Sequence, residues 1–239
     1  MQIIGHRGAR GEAPENTLAG FQYIHELGIR AVEFDVRQLK DGELVIVHDD
    51  NFLRTTGTAQ ALYELDSTQL APYNQAHIWM DWEAQITPTL KQSLKVMQDF
   101  EHLEVEVKAV ETTEQAIALV TELQTQLQGF EQTAVITSFD LKIHQALQQQ
   151  NSNFKRGLLV EEDIGTLAIE QALNLDCCQI GWMNQLATDE IIQATQNAGL
   201  KISVWTVNDI ARAEQLQKLG INGLITDFPK LMLQQLNIS

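Results

Sequence analysis

The sequence predicts a (β/α)8 barrel occupying the whole chain as one domain, residues 1–239, and three observations carry that prediction. Short β-rich runs recur at 2–5, 31–36, 103–108, 133–138, 156–160, 178–182, 201–206 and 223–226. Amphipathic stretches suited to helices separate them, at 17–28, 89–99, 112–127, 140–149, 165–173, 188–198 and 209–219. Such alternation gives a parallel sheet with helices outside. The third observation is negative. "GHRGARGE" follows the first strand, where a doubly wound open sheet normally carries GxGxxG. Eight strands in a chain of this length is the barrel count.

Taken in order, the first strand delivers His6 and Arg7 just past its end. In a barrel that is the C-terminal face, where catalytic groups gather. Pro14 and Asn16 read as the turn into a helix beginning near Thr17, with Glu15 as a helix-start acid or, second to that, an acid approaching a metal. After the second strand, Asp41-Gly42 is a two-residue hairpin signal. It pairs 40 with 43 and 35 with 48, so a hairpin should rise above the barrel and return His48 to face Asp35. Residues 50–88 lack strong periodicity and read as a short insertion at the barrel mouth. Further on, Asp140, Thr188 and Asn208 are candidate N-caps, and Gly199 and Gly220 are helix stops. The glutamine-rich patches lie on helical segments and read as solvated faces.

Composition narrows the function. Hydrophobic residues make up 44% of the chain, enough for a sizeable core. No run approaches the roughly 20 apolar residues of a membrane helix. The opening "MQIIGHRG" is already a strand without a basic n-region, which points to the cytoplasm. The adjacent pair Cys177 and Cys178 is poorly arranged for a structural disulfide, which fits a reducing compartment. A net charge of −16 argues against nucleic acid and against stable association with anionic lipid. An anionic ligand would therefore need positive charge concentrated locally.

The chemistry-bearing pattern is "AVEFDV". Side chains alternate along a strand, so Val32, Phe34 and Val36 share one face and Glu33 and Asp35 the other. In a barrel the apolar face meets the helices, leaving both carboxylates inside. "LEVEVK" repeats the pattern, with Glu104, Glu106 and Lys108 inward. Buried unpaired carboxylates cost several kcal/mol or protonate, so acids converging on one mouth call for a cation. Oxygen-rich ligands favour Mg²⁺ or Ca²⁺ over zinc.

"GHRG" with "APENT", then "EFDV", "DGELVIVHD", "EVEVK", "SF", "VWTVN" and "ITDFP" stand in this order from His6 to Pro229. The arrangement resembles the glycerophosphodiester phosphodiesterase family. That resemblance implies a (β/α)8 barrel binding one divalent cation through Glu33, Asp35 and Glu106. It also implies acid and base roles for His6 and His48, with Arg7 on the phosphate and Lys108 close by. Trp205 is then an aromatic platform for glycerol or alcohol. The implied reaction releases sn-glycerol 3-phosphate and an alcohol, in a cytoplasmic hydrolase of glycerol and lipid metabolism; we assign His6 as base and His48 as acid, the reverse assignment staying open. A homodimer is compatible with this reading. Glu104 sits about 6–7 Å deeper than Glu106 and is set aside as a ligand. Asp227 and Pro229 are assigned to shaping the last loop. A lysophospholipid diesterase would need an apolar entrance, and loops 50–88 and 161–165 show no hydrophobic ridge in sequence.

Overall fold

The computed structural model describes residues 1–236. Nine strands form one sheet: β1 (Gln2–His6), β2 (Ala31–Gln38), β3 (Leu44–Ile46), β4 (His102–Val107), β5 (Ala134–Ser138), β6 (Lys155–Val160), β7 (Gln179–Met183), β8 (Lys201–Trp205) and β9 (Gly223–Thr226). All but β3 run parallel, and pairing of β1 with both β2 and β9 closes them into an eight-stranded barrel. Each strand predicted from the sequence is present, its ends within two residues of those predicted.

The helices are α1 (Leu18–Glu26), α2 (Leu53–Thr56), α3 (Leu90–Val96), α4 (Thr113–Gln126), α5 (Leu141–Gln149), α6 (Leu167–Asn174), α7 (Asp189–Asn197), α8 (Ile210–Lys218) and α9 (Pro229–Gln235). Most start on a side chain that accepts one of the free N–H groups of the first turn. Thr17, Asp140 and Thr188 do so for Gly20, Lys142 and Ile191. At α8 the cap is Asp209, not Asn208. Asn208 is occupied elsewhere: its amide donates to Asp227 while its oxygen accepts from Thr226 Oγ1 and the Asp227 N–H. Gly199 and Gly220 end their helices at φ +77° and +78°, the conformation glycine reaches without Cβ strain.

The main core lies between barrel and helices, with Val32, Phe34, Val36, Leu103, Val105 and Val107 all buried there. Phe34 meets Phe21 of α1 edge to face, centroids 5.9 Å apart. Inside, Ile4, Ala31 and Ile225 form a small apolar floor. Above it, Glu104 accepts from Gln179 (2.8 Å) and Ser203 (3.3 Å), so that deep acid is satisfied within the barrel.

The β2–β3 hairpin exists, but its register is one residue off the expectation. Val36 faces Ile46 and Gln38 faces Leu44, and the Val47 N–H donates to the Asp35 carbonyl at 3.0 Å. Gly42 sits at φ +88° and bonds back to Leu39, giving a three-residue loop, Lys40-Asp41-Gly42. One extra loop residue displaces every pair, so Val47 opposes Asp35 and His48 does not. The ladder ends at Ile46, and beyond it the chain is free to turn His48 toward the mouth. Residues 50–88 pack beside this hairpin, with Leu39, Val45 and Val47 meeting Phe52, Leu62, Leu65 and Leu70.

Candidate active site

Strand register assembles the site. In the β1–β2 pair His6 stands beside Glu33, and in the β2–β4 pair Asp35 stands beside Glu106. Neighbouring strands lie about 4.8 Å apart, and carboxylate oxygens of Glu33, Asp35 and Glu106 come within 4.8 Å of one another. All three are buried, Asp35 completely. Glu104 lies outside this cluster.

The cations expected nearby are present as direct partners. Lys108 reaches Asp35 Oδ1 at 2.5 Å and also pairs with Glu106 Oε1. Arg7 Nε lies 3.3 Å from Asp35 Oδ2, its Nη1 donates to Glu15 Oε1 at 3.0 Å, and its backbone N–H donates to Glu33 Oε2 at 3.0 Å. Arg7 takes φ +52° and Asn16 φ +54°. Asparagine tolerates that region, whereas for arginine it costs on the order of 1–3 kcal/mol. Hydrogen bonds hold the arrangement: the Asn16 N–H donates to the Arg7 carbonyl, and Asn16 Nδ2 donates to Asp35 Oδ2 at 2.7 Å.

These contacts split the acids. Burial pushes the Asp35 carboxyl up, but Lys108, Arg7 and His48 outweigh it and leave it well below the usual range. Glu33 goes the other way: burial first, then Asp35 and Glu106, raise it well above an ordinary carboxyl. Glu106 is raised by burial and by Asp35 against the pull of Lys108. Glu33 Oε1 is buried with no hydrogen-bond partner. An orphaned carboxylate oxygen in a cluster of three acids is what a divalent cation would complete, so the donor set fits a hard cation.

Both histidines carry a carboxylate on Nδ1. His6 Nδ1 is 2.6 Å from Asp227 Oδ1, and its Nε2 is 3.9 Å from Glu33 Oε2. His48 Nδ1 is 2.7 Å from Asp49 Oδ1, and the Arg37 side chain holds the His48 carbonyl at 2.8 Å. Burial lowers the pKa of His6 although Asp227 opposes it. Asp227 thus has a role beyond the loop-shaping one read from the sequence: it also holds His6 Nδ1. The signal was there in "TDFP", but nothing in one sequence says that the two ends of the chain meet.

Trp205 lines the same narrow cavity as His6, Glu33, Glu106 and Leu159. Its indole N–H donates to the Gly181 carbonyl and its ring meets Phe139 edge to face at 5.4 Å. From Leu159 a second depression of about 330 Å³ runs over Phe139, Leu141, Val160 and Ile164. Leu141 and Ile164 are each 36% exposed and Leu167 49%. The loop at 161–165 lends one apolar side chain, Ile164, to this depression, whose wall also carries Glu161, Glu162 and Gln171.

A parallel barrel with three clustered carboxylates that could hold a metal, and two histidines each paired with an acid at its C-terminal face, fits the class of phosphodiester hydrolases. The family model for the glycerophosphoryl diester phosphodiesterase family matches residues 6–231. A glycerophosphodiester phosphodiesterase of Caldanaerobacter subterraneus subsp. tengcongensis is 26% identical over 97% of this chain and 96% of its own. The crystal structure of glycerophosphodiester phosphodiesterase from Agrobacterium tumefaciens matches with TM-score 0.80 at 25% identity, covering 98% and 99% of the two chains. An Oleispira antarctica phosphodiesterase, solved in complex with the product sn-glycerol-3-phosphate, superposes with TM-score 0.89 at 24% identity over 98% and 96%. The chain belongs to the glycerophosphoryl diester phosphodiesterase family and is a glycerophosphodiester phosphodiesterase. No helix among the described residues is long and apolar enough to cross a membrane.

Proposed function

We propose that the chain hydrolyses glycerophosphodiesters to sn-glycerol 3-phosphate and an alcohol, with one divalent cation, Mg²⁺ or Ca²⁺, held by Glu33, Asp35 and Glu106. The observation that carries this reading is the meeting of those three carboxylates within 4.8 Å, beside a histidine whose Nδ1 is already committed to an acid. When bound, the cation supplies Lewis acidity toward a nonbridging phosphate oxygen and a template for the glycerol end. Arg7 and Lys108 add positive charge against the phosphate, where charge builds up in the transition state. With Asp227 accepting from Nδ1–H, His6 keeps Nε2 as a base for the attacking hydroxyl or water. His48, oriented in the same way by Asp49, returns a proton to the departing alkoxide. Trp205 provides a flat apolar wall for the glycerol or alcohol carbons.

Cleavage of glycerophosphocholine, coupled to an sn-glycerol-3-phosphate dehydrogenase readout, tests this. Activity should vanish after EDTA, return with Mg²⁺ or Ca²⁺, and be absent in Glu33→Ala. Cation-independent turnover, or full activity in Glu33→Ala, sinks the metal assignment. Absence of sn-glycerol 3-phosphate from every diester sinks the reaction.

The depression from Leu159 to Ile164, whose wall also carries Glu161, Glu162 and Gln171, offers apolar carbon beside the site for a second substrate, a diester whose glycerol carries one acyl chain. The human protein named lysophospholipase D GDPD1 is 40% identical over 70 residues, 29% of this chain. Lysophosphatidylcholine turned over faster than glycerophosphocholine, with the advantage lost in Ile164→Glu, would support it. Equal or slower turnover would remove it.

A further inference from the structure

A chain of charge contacts surrounds the site on its insertion side, and Arg54 is its keystone. Arg54 stands on α2, a four-residue turn within the 50–88 insertion. Its neighbours fix that turn. Phe52 is fully buried in the small core beside the hairpin, and Thr55 Oγ1 donates to Gln75 Oε1 at 2.6 Å. The guanidinium faces two acids at once. Nη1 and Nη2 fork onto Glu15 Oε2 (2.8 Å) and Oε1 (2.6 Å), while Nε donates to Asp49 Oδ2 (2.7 Å).

Each acid leads to the site. Asp49 Oδ1 holds His48 Nδ1 at 2.7 Å. Glu15 Oε1 takes Arg7 Nη1 at 3.0 Å, Arg7 reaches Asp35, and Arg10 Nε stands 3.2 Å from Glu15 Oε2. Glu15 is buried, and its carboxyl lies below its ordinary value: burial pushes it up, and Arg54 and Arg7 overrule burial. Among the described residues, no other side chain pairs with both Asp49 and Glu15. His48 lies on a bend just past the end of its ladder, so its ring depends on side-chain partners for orientation.

We propose that Arg54 is a positioning residue for the reaction: through Asp49 it sets the ring of His48, and through Glu15 it locks that histidine to the Arg7 side of the carboxylate cluster. It touches neither cation nor substrate. Its planar fork is the feature used, since a lysine ammonium cannot bridge two carboxylates in that geometry. The inference rests on the assignment of His48 as proton donor in the proposed reaction.

Two measurements on Arg54→Ala, checked for folding by circular dichroism, test it. Kinetically, kcat on glycerophosphocholine should fall about 30–300-fold, with KM within about threefold, because the effect is on proton delivery. In a His48→Ala background the same substitution should cost less than about threefold, and millimolar guanidinium should restore part of the single variant's rate. Independently of turnover, long-range ¹H–¹⁵N spectra of the His48 ring should show Nδ1–H in the wild type. They should show averaged tautomers in Arg54→Ala. An unchanged ring signal, an additive loss in the His48→Ala background, or a rise in KM alone each overturns the proposal. If Arg54→Ala does not fold, Arg54→Lys replaces it, with the same ring and background readouts. A wild type that shows the tautomer effect but cleaves no glycerophosphodiester removes the reaction and leaves the positioning role standing.

Discussion

His6 and Asp227, separated by 221 positions in the chain, are joined by a 2.6 Å contact between Nδ1 and Oδ1. Neighbouring strands β1 and β9 carry them to that point, Asp227 just past the end of its strand. Asn208 holds the far oxygen of Asp227 at 2.8 Å, so the carboxylate cannot swing away. An acid fixed on Nδ1 dictates the tautomer and leaves Nε2 as the working nitrogen.

Asp227→Asn removes the charge and keeps the shape. The carboxamide can present its NH₂ to His6 and favour the opposite tautomer. We expect kcat to fall on the order of 10²–10⁴-fold with the midpoint of thermal unfolding nearly unchanged. Steady-state kinetics beside a melting curve checks both, and a loss of less than fivefold would show that His6 does not need this partner.

Asn16→Ala removes the 2.7 Å bond to Asp35 and also frees a left-handed turn to relax. Asp35 should lose its orientation toward Glu33 and Glu106. The affinity for Mg²⁺ or Ca²⁺ should drop roughly 10–100-fold, the usual effect of deleting a group that orients a ligand. Isothermal titration against the bare cation reads this without any substrate. Unaltered affinity would mean that Asn16 serves only the turn.

Gly5→Ala tests how tightly the strand end is built. A Cβ at Gly5 would sit 1.9 Å from the Gly8 carbonyl oxygen, a backbone atom that cannot step aside alone. The turn carrying Arg7 must move. The substitution should cost roughly 1–3 kcal/mol or more in urea unfolding and most of the activity. A variant as stable and as active as the wild type would show that this turn is loose.

The pH dependence of stability should carry a contribution from His144, which lies on α5 away from the site. The ring is fully buried, with Nε2 donating to the Ser138 carbonyl at 3.1 Å. Burial lowers its pKa below 6.5. Unfolded chains therefore bind this proton at a higher pH than folded ones. Above 6.5 both states are neutral there and stability is intact; as pH falls from 6.5 toward the folded value, stability is lost at up to about 1.4 kcal/mol per pH unit. His144→Gln, which can still donate to Ser138, should flatten that part of the curve in denaturant titrations between pH 7 and 5. A slope identical to wild type would assign the effect to other groups.

Much of this molecule was legible in the sequence because its signals are local. Period-two alternation exposed Glu33, Asp35 and Glu106 as inward acids, and turn residues located the hairpin. The hairpin register failed for a local reason too: Asp-Gly suits both a two-residue turn and a three-residue loop ending on glycine, and Gly42 takes the second. What could not be read are relations between distant segments. Glu15 looked like a helix-start acid because its arginines lie at positions 7, 10 and 54. Asp227 looked like a loop former because its partner is at the other end of the chain. The depression beside the site was not read because it forms only where β6 and its following loop meet the segment joining β5 to α5. Helix α9 escaped since its seven residues begin at Pro229, directly after Phe228, which has no polar side chain to cap them.

The order of the strands has a consequence for biosynthesis. β1 lies between β2 and β9, the first and last of its potential neighbours to be made. At roughly 5–20 residues per second of translation, Asp227 is added some ten to forty seconds after His6. During that interval a nascent chain can already pair β2 with β4 and gather Glu33, Asp35 and Glu106, while its first histidine has no acid on Nδ1 and the barrel stays open along one seam. The three acids that could hold a cation are thus all made before the acid partner of His6. Because the last strand completes both the wall and the histidine pair, a chain stopped short of it is an unfinished enzyme, and not a weak one.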